Sequence, residues 1–165
     1  MSEPQGRSAE LDARRWELTL SSPSRRESVQ ISVGEVDQTW HPSVNLYCVV
    51  TDGSFTGSDD VWVSEPQLAD FVSQLQHLEQ SRAGCAKLEA MSPGRLELVI
   101  EPFDGARHMQ VSATISANRY GPRMSHCTVT MRSIFEIDAG LLMSVLIRFR
   151  ELWHTCGGGS QKRDN

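Results

Sequence analysis

Alternation of apolar and polar residues with a period of two returns along most of this chain, and a segment written that way buries one face only as a β-strand. The pattern starts with Trp16, Leu18 and Leu20 and continues with Val29, Ile31 and Val33, with the polar segment Ser21–Arg26 as the loop between them. A third strand, Val44–Thr51, stops at Asp52-Gly53, a dipeptide suited to the positive φ of a tight hairpin turn. Ser54 to Gly57 then return antiparallel. A break or bulge is predicted over Gly57-Ser58-Asp59-Asp60 before Val61-Trp62-Val63 resume the strand.

The clearest local signal is a helix start. Ser64 can cap the free backbone N–H groups, Gln67 completes a capping box, and Pro66 sits in the first turn, where its missing N–H is harmless. Leu68, Phe71, Val72, Leu75 and Leu78 follow at helical spacing, so Glu65–Gln80 has one apolar face, and Gly84 ends the connection. Strands resume with Ala86, Leu88 and Ala90, turn at Ser92-Pro93-Gly94, and continue with Leu96, Leu98 and Ile100. A second Asp-Gly pair, Asp104-Gly105, precedes Met109, Val111, Ala113 and Ile115. A loop over Asn118–Arg123 leads to a last strand with Cys127, Val129 and Met131 on one face.

Asp138 can cap a second helix, Ala139–Trp153, whose Leu141, Leu142, Val145, Leu146, Phe149, Leu152 and Trp153 form a wide apolar stripe. The order of strands, helix, strands, helix predicts an α+β fold: mainly antiparallel sheet, about eight strands, with two amphipathic helices packed on it. The two halves share this plan without a residue-level repeat. With 165 residues, 39% of them hydrophobic, the chain suits one domain with a real core. That domain is expected over residues 14–154, between a flexible segment 1–13 and a disordered glycine-rich tail 155–165.

No apolar run approaches the roughly 20 residues of a membrane-spanning helix, and the start lacks the basic-then-apolar layout of a secretory signal, so a cytoplasmic location is expected. Cys48, Cys85, Cys127 and Cys156 are widely spaced and should stay reduced there, with neither a disulfide nor a zinc cage. The five histidines stand singly, without metal-ligand spacing. There is no phosphate loop and no nucleophile elbow. His126 and Cys127, as neighbours in a strand, point to opposite faces, and Cys127 is expected to be a small buried hydrophobe. Adjacent Asp59 and Asp60 suit a solvated turn better than paired acid–base carboxylates. No catalytic residue, metal or cofactor is therefore assigned.

The net charge of −5 is unevenly placed: from Glu27 to Ser81, 55 residues, there is no Lys or Arg, and nine acids give that span −9 while the rest carries +4. Such a field opposes nucleic acid and anionic lipid and speeds encounter with a basic protein. The arginine groups Arg14, Arg15, Arg25, Arg26 and Arg119, Arg123, Arg132 are not interleaved with stacking aromatics, as a single-strand platform would require.

The run Val44-Asn45-Leu46-Tyr47-Cys48-Val49-Val50, Gly53-Ser54-Phe55-Thr56-Gly57, Val61-Trp62-Val63 and the helix Leu68-Ala69-Asp70-Phe71-Val72-Ser73-Gln74-Leu75 resembles the WapI-type immunity proteins and their uncharacterised bacterial relatives. Gly84-Cys85-Ala86, a hairpin through Leu96-Glu97-Leu98, and Phe135-Glu136-Ile137-Asp138 entering the helix with Leu141-Leu142 continue the likeness, which covers about Trp40 to Trp153 and contains no catalytic signature. The resemblance implies a non-enzymatic partner that neutralises a toxin domain by binding it. It assigns no oligomeric state.

On that reading the contact residues are Glu35, Asp37, Asp52, Asp59, Asp60 and Glu65, with Trp40 or Trp62 as an aromatic anchor. Because Trp62 alternates with Val61 and Val63, one face of that strand must bury part of this set. Two other readings share the size and acidity. One is a cytosolic chaperone or adaptor for a secreted segment, and the other is a small-molecule-binding protein or enzyme, which would need a pocket with convergent polar groups.

Overall fold

The computed structural model describes residues 16–105, 108–120 and 126–157. Segment 1–13, the loop residues Gly121–Arg123 and the tail beyond 157 lie outside the described residues. Two four-stranded antiparallel meanders account for the strands, in the order β1-β2-β3-β4 and β5-β6-β7-β8. The first sheet holds β1 (Glu17–Ser21), β2 (Glu27–Asp37), β3 (Ser43–Asp52) and β4 (Phe55–Ser64). The second holds β5 (Ala86–Glu89), β6 (Leu96–Asp104), β7 (His108–Tyr120) and β8 (His126–Asp138). Helix α1 (Glu65–Ser81) follows the first sheet, and α2 (Leu142–Thr155) follows the second through a 3-10 turn at Ala139–Leu141. The fold is α+β, as the periodicity predicts.

Helix α1 starts where its caps require. The Ser64 hydroxyl accepts the Gln67 amide, and the Gln67 side chain accepts the Ser64 amide at 3.0 Å. All five apolar residues predicted for its inner face are buried. The helix ends on Arg82, held in the left-handed region at φ +56°, a C-cap conformation normally left to Gly or Asn. Both sheets and both helices contribute to one core, where Phe149 meets Phe71 and Trp16 edge to face at 4.8 and 5.4 Å. The Trp16 indole N–H donates to the Arg148 carbonyl at 2.7 Å, which fastens the start of β1 to α2.

Strand β4 is continuous. Its ten residues pair with β3 without a shift, from Phe55 opposite Asp52 to Ser64 opposite Ser43, so the break predicted at Gly57–Asp60 is absent. The bulge lies instead in β2, between Val33 and Glu35, with Gly34 as the extra residue. Gly57 has a packing reason: a Cβ there would lie 2.9 Å from the Met131 Cβ on β8. In an open strand Gly→Ala is stabilising; here Gly57→Ala is expected to cost about 1–3 kcal/mol by wedging the sheets apart. Urea denaturation checks this, and Met131→Ala in the same chain should recover most of the loss.

The second sheet passes under the first at its hairpin ends. Along β8, Ile134–Glu136 lie by the β1–β2 loop, Ser133 meets Asp52 at the end of β3, and Met131 faces Gly57 of β4. Four to five residues at roughly 3.3 Å cover the three interstrand gaps of roughly 4.8 Å, as in near-orthogonal sheet packing. Everything on β8 before Met131 therefore extends past the edge of the first sheet. For this reason Cys127, expected to be buried, is exposed, and so is Val129 at 55%.

Two smaller corrections concern α2. Leu141 belongs to the 3-10 turn, which places it off the apolar stripe and leaves it exposed. Helix α2 runs on through Thr155 with Cys156 buried behind it, so the packed domain extends two residues into the predicted tail. Tyr120 ends β7, so Asn118–Tyr120, read as loop, are strand. No helix among the described residues is long and apolar enough to cross a membrane.

Candidate functional site

The face of the first sheet turned away from the core is built by strand parity. With Val44, Leu46, Cys48 and Val50 inward on β3, Asn45, Tyr47 and Val49 face outward; on β4, Val61 and Val63 inward leave Ser58, Asp60 and Trp62 outward. The bulge at Gly34 re-aims β2, so Glu35 joins the outer face beside Asn45. Two adjacent rows result: Glu35, Asn45 and Trp62, then Ser32, Tyr47 and Asp60. Trp62 and Tyr47 are 36% and 46% exposed, and the Asn45 amide donates to Asp60 Oδ2 at 3.4 Å.

Beyond these rows the β2–β3 connection carries Trp40, 92% exposed. The turn beneath it is tied by Asp37, whose Oδ1 accepts the Thr39 hydroxyl at 2.6 Å and the Thr39 amide at 2.9 Å. Those bonds, the hydroxyl first, hold the Asp37 carboxyl below its ordinary range. The turn is fastened to the helix, because the Glu65 amide donates to the Pro42 carbonyl at 2.8 Å. Glu65 is half-buried and accepts the Trp153 indole N–H at 2.5 Å. No residue from 27 to 81 is Lys or Arg, so strands β2 to β4 carry carboxylates and aromatic rings without a permanent positive charge of their own.

Of the eight contact residues proposed from sequence, Glu35, Asp60 and Trp62 share this face, Asp37 and Trp40 lie at its end, and Glu65 stands behind the Pro42 connection. Two do not belong to it. Asp59 points inward, where Arg95 Nε donates to Oδ2 at 2.8 Å and Nη2 to Oδ1 at 2.7 Å, a two-point ion pair between the sheets with the Asp59 side chain 10% exposed. Asp52 ends β3 on the core side and accepts the Ser133 hydroxyl at 3.2 Å. Their charges are used within the fold. Tyr47, missed from sequence, sits directly opposite Asp60; outward parity from Leu46 and Cys48 was the available signal.

The remaining chemistry is sparse. Burial pushes the Cys48 thiol up to about 12 and Cys156 up to about 11, which keeps both protonated at neutral pH. Among the described residues no group of three His, Cys, Asp or Glu could hold a metal ion. Two clefts where the sheets meet have volumes of about 220 and 280 Å³, against the roughly 300–1,000 Å³ of ordinary ligand pockets. No protein-family model matches the chain, and no curated protein sequence matches it.

Proposed function

We propose that this chain is a non-catalytic binding protein of the immunity type that its sequence resembles, neutralising a basic toxin domain in the cytoplasm by steric and electrostatic blockade. The observation that supports it is the outer face of the first sheet, where exposed Trp62 and Tyr47 stand among Glu35 and Asp60 on strands whose own sequence holds no Lys or Arg. Interfaces take their affinity from a few aromatic anchors and their speed and selectivity from charge complementarity, and this face offers both. Its sign repels nucleic acid and suits a protein that must itself be basic enough to hold phosphates.

Glu35→Lys/Asp60→Lys leaves the core and the Asp59–Arg95 pair untouched. It is expected to slow association by about tenfold or more at low ionic strength and to flatten the salt dependence. The measurement is capture from a bacterial lysate by the wild-type and doubly substituted chains at low and physiological salt, followed by kinetics on the captured protein. Recovery of the same proteins at the same rates by both chains would remove this face from the interface. The captured protein is then expressed alone and together with this chain. Growth arrest relieved by co-expression is the result expected, and a harmless captured protein would overturn immunity while leaving docking in place.

A further inference from the structure

Resting on that docking reading, we infer that the outer face of the first sheet is selective for arginine over lysine, and that its central contact is a partner guanidinium held between Tyr47 and Trp62. Asp60 lies directly opposite Tyr47 and Asn45 directly opposite Trp62, so the two aromatic residues are diagonal neighbours on adjacent strands. Diagonal pairs on one sheet face stand about 7–8 Å apart, and their side chains rise roughly perpendicular to the sheet. A planar group in van der Waals contact on both sides needs about 3.5–4 Å per side, so rings standing at that separation would hold one flat cation between them. Guanidinium is flat and stacks on aromatic faces, whereas a lysine ammonium is a hydrated point charge.

The polar surroundings fit the same group. The Asn45 amide donates to Oδ2 of Asp60, and Asn45 sits beside Glu35 in the next strand. A guanidinium between the rings would lie over the Asn45–Asp60 contact, which spans the other diagonal of the same four residues, and would offer its forked donors to the Asp60 carboxylate, with Glu35 one strand beyond Asn45. Charge alone would draw either cation. The two flanking rings are what would separate them.

The test uses the full chain and two capped octapeptides of equal charge, one built on arginine and one on lysine, followed by ¹⁵N NMR of the four tryptophan indoles at low and physiological salt. The arginine peptide is expected to bind about fivefold more tightly, with Trp62 the indole that moves most. In Tyr47→Ala and Trp62→Ala chains that preference should vanish while weak, salt-sensitive binding of both peptides persists. Glu35→Gln/Asp60→Asn should weaken both peptides together. Equal affinity for the two peptides in the wild type would overturn the arginine inference and leave the anionic docking face standing. Absence of binding by either peptide at low salt would also overturn it, and the capture experiment then decides the docking reading on its own.

Discussion

Phe149→Ala is expected to lower the unfolding free energy by about 3–5 kcal/mol, the largest single effect in the molecule. Phe149 is fully buried on α2 and touches Phe71 of α1 and Trp16 at the start of β1, so its ring joins three elements far apart in the chain. Removing it deletes a large apolar surface and two edge-to-face contacts, and the two helices cannot close on the space without dragging Trp16 off its hydrogen bond to the Arg148 carbonyl. Against a total stability of roughly 5–15 kcal/mol, this leaves the chain near unfolding. The internal comparison is Ile147, two residues earlier on the same helix and 46% exposed, whose replacement by alanine should cost less than about 1 kcal/mol. Urea denaturation of both variants checks the pair. Similar losses would mean that α2 packs on a different face.

What sequence reasoning recovered, it recovered from local signals. The α1 cap depends on residues within one turn, and Ser64, Pro66 and Gln67 announce it. The Asp52-Gly53 hairpin depends on one positive φ, which Gly53 adopts at +59°. The failures share a different cause, because each depends on where a second element lies against the strand. Cys127 and Val129 continue the alternation of β8 and would be buried if the first sheet were wider; it ends at β4, and they extend past it. Gly57 suggested a bulge because glycine in a strand often marks one, yet here it makes room for Met131. Assuming a break at Gly57 also lost the parity of β4, which read unbroken from Val61 and Val63 places Asp59 inward and Asp60 outward. The candidate face was therefore legible in its charge and its aromatics, but not in which acids were free to use.

That parity yields the sharpest contrast available in the chain. Asp59→Lys should be destabilising by about 2–3 kcal/mol: it places an ammonium against the Arg95 guanidinium in the junction between the sheets and deprives Arg95 of its partner. The value lies below that of a fully buried pair because the Arg95 side chain is 33% exposed and can turn partly to water. Asp59→Asn retains the shape and should lose about 1–2 kcal/mol, and in a cycle with Arg95→Met the two losses should not add. Asp60→Lys, one residue along, should change stability by less than about 0.5 kcal/mol, since the residue is exposed and, among the described residues, its carboxylate accepts a long hydrogen bond from Asn45 at 3.4 Å. Binding should rank the other way, with Asp60→Lys slowing association in chains that remain fully folded. Thermal and urea unfolding, read beside association rates for the captured partner, separate the two roles. Equal destabilisation at both positions would show that β4 does not hold one acid on each face, and the unbroken strand on which the candidate face depends would have to be given up.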